Sequence, residues 1–397
     1  MRRVIYSIMF AAIFTACSNK SNNFASSYFL TADEMGDSIN MIVPEYATGF
    51  TVSYLSNGVR LVDVQDPHKE VEVEGKEVKD ESDMPLEYHL ALVPKDYKVN
   101  IPDGYTKIEV PVERVICMTA LQLSNFIILD AHGEIVGLTG TKNLYNKDIL
   151  RRVDEGKIVR IGMEGNFDTE KVIAANPDVI FISPFKKGGY EILKETGITL
   201  IPHLGYKELD PLGQAEWLKY VSMFLGKEKQ ANEIFYGIKK RYDDIKALTA
   251  TIENRPTVFS GELHGGNWYA LGGRNYLAQM FYDAGAQYVL CDDNHSGGLP
   301  IDFENMYLRA ANADYWRILN SFPGEFSYAA LKASNPRNAD FKAFKERKVI
   351  YCNMKQSPYY EITPVSPDVL LMDLVNIFHP GLLPPDYEPT FYRLLEE

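Results

Sequence analysis

Residues 114–140 read RVICMTALQLSNFIILDAHGEIVGLTG and establish the architecture of the chain. Within this stretch, residues 115–118 and 135–138 are short, almost wholly apolar runs, and a helical pattern separates them. Strands that are apolar at nearly every position are typical of a parallel sheet that is buried on both faces. Because parallel neighbours need a crossover connection, this order predicts a β-α-β unit.

The same alternation continues along the chain in two blocks. In the first block, further strands are predicted at 158–161, 179–183 and 198–201, with helices at 169–175 and 190–195. In the second block, strands are predicted at 257–260, 288–290, 314–319 and 349–352, with helices at 276–284, 303–311, 341–345 and 367–378. Each block therefore predicts one Rossmann-like lobe.

A helical stretch with one break, at Gly226, separates the two blocks. Its parts are residues 217–225 and 228–248, and apolar side chains recur in the second part at steps of three and four. About 21 helical residues span roughly 32 Å, about the diameter of a domain. The sequence predicts an α/β protein with two Rossmann-like lobes, a long backbone helix that joins them, and a ligand cleft between the lobes.

The N-terminus carries an export signal. Arg2 and Arg3 precede an apolar run at 4–14, which is shorter than the roughly 20 residues that span a bilayer. Ala16 stands directly before Cys17, which resembles a bacterial lipobox, although Phe14 replaces the usual aliphatic residue. We expect residues 1–16 to be a lipoprotein signal peptide, Cys17 to be lipidated, and residues 17–27 to be a polar tether.

The segment 28–110 is predicted to be a β-rich extension of the first lobe. Asn57-Gly58 stands between two alternating runs at 50–54 and 59–64, which favours a hairpin. Residues 88–93 and 107–110 favour further strands, and the acidic stretch 70–83 favours a loop. The remaining predicted units are the N-terminal α/β lobe at 111–210, the helical connector with the backbone helix at 211–250, and the C-terminal α/β lobe at 251–397.

The composition excludes several classes of function. The chain has 41 basic and 54 acidic residues and no long basic run, so nucleic acid is not an expected partner. Its four cysteines form no CxxC pair, and no histidine pair has metal-ligand spacing, so we expect no metal held by protein ligands alone and no cofactor. An exported, lipid-anchored hydrolase or chelatase-like enzyme that uses the cleft remains an alternative, because paired carboxylates are brought together only by folding.

Several segments resemble the helical-backbone substrate-binding proteins of ABC importers for iron-siderophores, haem and cobalamin. The resemblance covers residues 114–383 through the opening stretch, IGMEGNFDTEKVIAANPDVIFIS, GKEKQANEIFYGIKKRYDDIKAL, WYALGGRNYLAQMFYDAGAQYV, DFENMYLRAANADYW and FKAFKERKVIY. It implies a class III periplasmic binding protein that captures a metal chelate, with a ferric siderophore first and haem or cobalamin as alternatives. It also implies delivery to an importer permease from the periplasmic side of a membrane. An accessory role at the cell surface, beside an outer-membrane importer, is a further alternative.

Candidate ligand-binding residues lie in the segments that follow predicted strands. Trp268 and Tyr269 are expected to stack on a chelate, with Tyr145 and Phe167 facing them from the other lobe, although core packing is an alternative for such aromatic residues. Glu164 and His264 suit contact with a metal or a hydrogen bond to a ligand, and the alternative for each is a satisfied loop residue. Further polar candidates are Asn166, Asn267 and Arg274, of which Arg274 suits an anionic chelate or a structural salt bridge.

Two glutamates are expected to dock onto the permease. In the resembling family, one surface glutamate on each lobe enters an arginine-lined pocket, and the matching positions here are Glu170 and Glu304. Paired charges at two separate points fix orientation and speed encounter. The alternative is that each glutamate only stabilises the first turn of its helix.

Overall fold

A computed structural model describes residues 29–30, 40–67, 87–163, 165–184 and 190–396. The strands are β1 (Phe50–Tyr54), β2 (Arg60–Gln65), β3 (Glu87–Pro94), β4 (Thr106–Val110), β5 (Val115–Cys117), β6 (Ile135–Leu138), β7 (Val159–Arg160), β8 (Gly162–Met163), β9 (Asn166–Phe167), β10 (Val179–Ile182), β11 (Thr199–Pro202), β12 (Thr257–Ser260), β13 (Glu262–His264), β14 (Asn267–Leu271), β15 (Gln287–Tyr288), β16 (Gly298–Asp302), β17 (Tyr315–Asn320), β18 (Val349–Asn353) and β19 (Arg393–Leu394). The α-helices are α1 (Ala120–Ile128), α2 (Lys147–Asp154), α3 (Thr169–Ala175), α4 (Glu191–Lys194), α5 (Pro211–Leu225), α6 (Glu228–Thr249), α7 (Tyr276–Asp283), α8 (Phe303–Ala310), α9 (Tyr328–Ser334), α10 (Lys342–Lys345), α11 (Tyr359–Ile362) and α12 (Pro367–Phe378).

Two separate sheets form the cores of the two lobes. The first sheet has the order β11-β10-β5-β6-β7, and all of its strands are parallel. The second has the order β15-β12-β17-β18-β19, in which only the edge strand β19 is antiparallel. Strands β5 and β10 are buried at every position, as their continuous apolar runs predict. The predicted α/β fold with two lobes is confirmed.

Helix α6 joins the lobes because it enters both of their cores. Ala231 packs in the cluster of the first lobe, whereas Phe235, Ile238 and Tyr242 pack in the cluster of the second. Its 22 residues span about 33 Å. The preceding helix, α5, ends at Gly226 in a left-handed cap, as predicted, but begins at Pro211, six residues earlier than the apolar pattern indicated.

A third, four-stranded sheet precedes the first lobe, in the order β1-β2-β3-β4. Its β1–β2 hairpin turns at Asn57-Gly58, as predicted, with Tyr54 opposite Arg60. The sheet packs on α5, where the rings of Phe50 and Trp217 lie 5.1 Å apart. The predicted signal peptide, Cys17, the tether and the acidic loop lie outside the described residues, and no described helix is long and apolar enough to cross a membrane.

Two buried carboxylates hold residues 45–49 beside α5. Glu216 accepts three backbone N–H groups of this segment at 2.7–3.0 Å and pairs with the buried Lys219 at 2.8 Å. Glu208 accepts two more backbone N–H groups of the segment and the indole N–H of Trp217 at 3.0 Å. Because buried charges need such partners, these bonds tie the N-terminal segment to the helix.

Candidate ligand-binding cleft

The two lobes meet where loops leave the carboxyl ends of their strands. Asn143 follows β6, and its amide donates to the hydroxyl oxygen of Ser321, which follows β17, at 3.3 Å. The hydroxyl of Tyr145 donates to the carbonyl of Met354, which follows β18, at 3.0 Å. Since ligands of open α/β sheets bind beyond the carboxyl ends of the strands, these contacts mark the edge of the predicted cleft.

A carboxylate completes this contact. Glu361, on α11 of the second lobe, accepts the backbone N–H of Tyr145 and, at 2.9 Å, that of Asn146. Asn146 caps α2, so a negative group of one lobe lies at a helix start of the other. Glu361 is 4% exposed, and burial raises its pKa while the two N–H bonds oppose the rise. Tyr145, a predicted ligand residue, therefore forms hydrogen bonds that connect the two lobes.

A hairpin with a two-residue turn directly follows β12 at the carboxyl end of the second lobe's sheet, and its second strand, β14, also pairs with β16. The segment after residue 260 forms regular strands, because β13 and β14 pair with His264 opposite Asn267. Gly265 and Gly266 form the turn with φ values of 57° and 90°, a conformation that glycine adopts without strain. The hairpin fixes which side chains face the core and which face outward.

The prediction that Trp268 stacks on a ligand is wrong. Its side chain is 0% exposed, and its indole N–H donates to the carbonyl of Ser260 at 3.0 Å inside the core. Successive residues of a strand face opposite ways, so Trp268 and Tyr269 cannot both face the cleft. Tyr269 is 51% exposed and lies on the outward face with His264 and Asn267, which are also exposed. These three residues stay candidates.

Glu262 is a candidate that the sequence analysis missed. It lies opposite Tyr269 and shares the outward face of the hairpin. Its carboxylate accepts the amide of Asn320, the last residue of β17, at 3.1 and 3.2 Å. Burial raises the pKa of Glu262, although the Asn320 hydrogen bond and the charges of His264 and Arg317 oppose this rise. The sequence signal for this candidate was a carboxylate directly after Gly261, the residue that follows β12.

In the first lobe, fewer of the predicted ligand-binding residues are exposed. Asn166 is exposed on the short β8–β9 pair, and Glu164 lies outside the described residues. Phe167 is corrected, because it is 7% exposed and its ring stacks on Tyr190 with centroids 6.2 Å apart. Phe167 therefore belongs to the core of the first lobe.

Comparison with known proteins identifies this two-lobed arrangement. Residues 115–355 match the family model described as periplasmic binding protein, which is more than half of the chain. The chain belongs to the periplasmic binding protein family. This result confirms the resemblance and the class III type of fold that the sequence predicted.

Individual relatives agree with that assignment. An uncharacterised lipoprotein of Methanocaldococcus jannaschii is 31% identical over 300 residues, which cover 72% of this chain and 70% of that protein. A periplasmic haem-binding protein from Pseudomonas aeruginosa has a TM-score of 0.56 at 18% identity, covering 72% of this chain and 99% of its own. An ABC-type Fe³⁺-hydroxamate transport protein from Saccharomonospora viridis has a TM-score of 0.53 at 15% identity, covering 68% and 94%. The two structures show a shared fold.

Both docking candidates of this periplasmic binding protein lie in first helical turns at the surface. Glu170 is exposed on α3 and makes no ion pair within the described residues. Glu304 is exposed on α8, where the Arg337 guanidinium lies 2.7 Å away and lowers the pKa of that carboxyl. Docking of Glu304 onto another cation would therefore replace an existing surface pair.

The remaining predictions concern charge and metal. Arg274 is half-buried, and its guanidinium makes no hydrogen bond or ion pair within the described residues, so it stays a candidate for an anion. No three His, Cys, Asp or Glu side chains among the described residues are grouped to hold a metal ion. Of two surface depressions, one is lined by residues within 376–394. The other is lined by residues within 325–326, 351–357 and 390–396, next to Met354, which accepts the hydrogen bond of Tyr145.

Proposed function

We propose that this chain is an extracytoplasmic substrate-binding lipoprotein that captures a metal chelate between its lobes and delivers it to the permease of an ABC importer. The observation that carries the proposal is the meeting of both lobes at the carboxyl ends of their strands, beside the exposed face of the β13–β14 hairpin. A ferric siderophore is the first candidate ligand, with haem and cobalamin as alternatives. The haem-binding and Fe³⁺-hydroxamate proteins that share the fold support this ligand class.

The exposed side chains of the hairpin suit a chelate better than a bare ion. Tyr269 offers an aromatic face, and His264, whose ring centroid is 6.2 Å from that of Tyr269, offers ring nitrogens. A few polar groups beside an aromatic surface are typical of small-molecule sites. The metal then arrives inside its chelator, and the protein needs no resident cofactor.

The membrane anchor belongs to the same proposal. Lipidation at Cys17 would hold the protein beside the permease, and the lipoprotein relative supports such an anchor. The match to the periplasmic binding protein family supports the placement on the periplasmic side. Glu170 and Glu304 would then contact the permease, one from each lobe. Two such charges set the orientation of both lobes on the partner.

Calorimetric titration of the full chain with a ferric trihydroxamate, haem and cobalamin tests the proposed ligand class. Calorimetry is preferable to tryptophan fluorescence because all three tryptophans are 0% exposed. We expect saturable one-to-one binding of one of the three ligands. Absence of binding to all three by the folded protein would leave the enzyme alternative as the better account of the cleft.

A further inference from the structure

Glu262 lies at the end of a fixed chain of hydrogen bonds. The Tyr351 hydroxyl donates to the amide oxygen of Asn320 at 3.0 Å, and the backbone N–H of Phe322 donates to the same oxygen at 3.3 Å. Because the amide oxygen is already occupied by donors, the NH₂ group of Asn320 must face Glu262. The orientation of the Glu262 carboxylate is thus set by the carboxyl ends of β17 and β18.

This carboxylate retains unused acceptor capacity. An ionised carboxylate has about four lone-pair positions, and Asn320 is its one side-chain donor within the described residues. Glu262 forms no ion pair with a lysine or arginine of that part of the chain. Ser321, which follows Asn320 in the chain, contacts Asn143 of the other lobe. Because Asn320 binds Glu262, Glu262 lies beside the contact between the lobes.

An exposed aromatic ring lies next to the carboxylate. Tyr269 stands opposite Glu262 in the hairpin register, and directly opposite residues on one face have Cβ atoms about 5 Å apart. A carboxylate beside an aromatic face suits an organic cation, which gains both a charge-assisted hydrogen bond and a cation–π contact. A carboxylate of the ligand at the same place would meet a like charge.

We propose that Glu262 selects chelates that present an ammonium or similar cationic group to the β13–β14 hairpin, and disfavours those that present a carboxylate there. This inference rests on the proposed function, because it names a specificity residue within the same cleft. The selection arises from the side chain that Asn320 positions and from the ring of Tyr269.

The test compares two ligands with one metal centre. Ferrioxamine B is a ferric trihydroxamate with a free ammonium arm, and its N-succinyl derivative carries a carboxylate on the same arm. By calorimetry on the full chain, we expect wild type to prefer the ammonium form by about tenfold or more, which corresponds to about 1.4 kcal/mol. Glu262→Gln should bring this preference close to one. Glu253→Gln, the same charge change at an exposed site of the same lobe, should leave the preference unchanged.

The possible outcomes separate the two proposals. Equal wild-type affinity for the two arms overturns the selection by Glu262, even if the Gln variant fails to fold. A preference that persists in Glu262→Gln also overturns it. Binding of haem or cobalamin with neither trihydroxamate refutes the inference and leaves the proposed function standing. Absence of all binding refutes both.

Discussion

At the residue scale, neighbouring positions in the sequence differ sharply in burial. Trp268 and Tyr269 look equivalent as ligand-stacking residues, yet the former is wholly buried and the latter is 51% exposed. Recognition of a strand, with its alternation of faces, would have separated them. Glu262 was missed for a different reason, because its partner Asn320 is 58 residues away and only folding brings them together.

Replacement of Trp268 tests its assignment to the core. The indole contacts the rings of Phe259 and Trp316, with centroids 5.9 and 5.3 Å away. Trp268→Ala should therefore lower the free energy of unfolding by about 3–5 kcal/mol. Trp268→Phe should lower the free energy of unfolding by less, because phenylalanine retains most of the ring packing. Chemical denaturation measures both, and a stable Trp268→Ala variant with weakened ligand binding would restore the stacking role.

The pH dependence of stability tests the burial of Glu262. Burial raises its pKa above the ordinary value of 4.5, so the folded state binds the proton more tightly than the unfolded state does. The stability that Glu262 contributes is therefore present below pH 4.5 and is lost as pH rises through the raised pKa. In denaturant titrations, the free energy of unfolding of wild type minus that of Glu262→Gln should fall as pH rises above 4.5. A constant difference would contradict this prediction.

At the element scale, most strands and helices could be predicted from their patterns. The strand at 257–260 and the helix at 367–378 have the predicted bounds, because a short apolar run indicates the buried strand, and Pro367 and Pro380-Gly381 delimit the helix. The β13–β14 hairpin and the short helix α11 were missed, although Gly265-Gly266 was a turn signal. The predicted start of helix α5 was six residues too late, because the first turns of the helix bury polar residues such as Gln214 and Glu216, which the apolar pattern does not include.

Substitution of Glu361 tests the contact between loop and helix across the lobes. Glu361→Ala leaves the N–H groups of Tyr145 and Asn146 without their acceptor, so stability should fall by about 1–3 kcal/mol. Tyr145→Phe removes only the hydrogen bond to Met354 and should cost about 0.5–1.5 kcal/mol. Thermal unfolding of both variants measures the two effects. An Ala variant as stable as wild type would show that the lobes do not depend on this contact.

Charge reversal at first helical turns tests docking. Glu170→Arg and Glu304→Arg should leave ligand affinity unchanged and abolish uptake in cells that depend on the importer. Glu195→Arg and Glu346→Arg reverse charge at exposed sites of the same two lobes and should transport normally. If the glutamates only stabilise their helices, each reversal should cost about 0.3–1 kcal/mol and leave uptake intact.

At the scale of the whole molecule, α6 limits how far the lobes can move. Its side chains are packed in both cores, so a large hinge motion would have to bend or displace a helix of 22 residues. We expect small-angle scattering of the free and chelate-saturated protein to differ only slightly in radius of gyration. A marked compaction on binding would show that the helix does not restrain the lobes.

Hydrogen–deuterium exchange with and without a saturating chelate shows whether the ligand lies between the two lobes. We expect slower exchange on both sides of the cleft at once, in residues 139–146 of the first lobe and in residues 261–269 and 353–361 of the second. Protection confined to one lobe, or to the depression lined by residues within 376–394, would show that the ligand does not lie between the lobes.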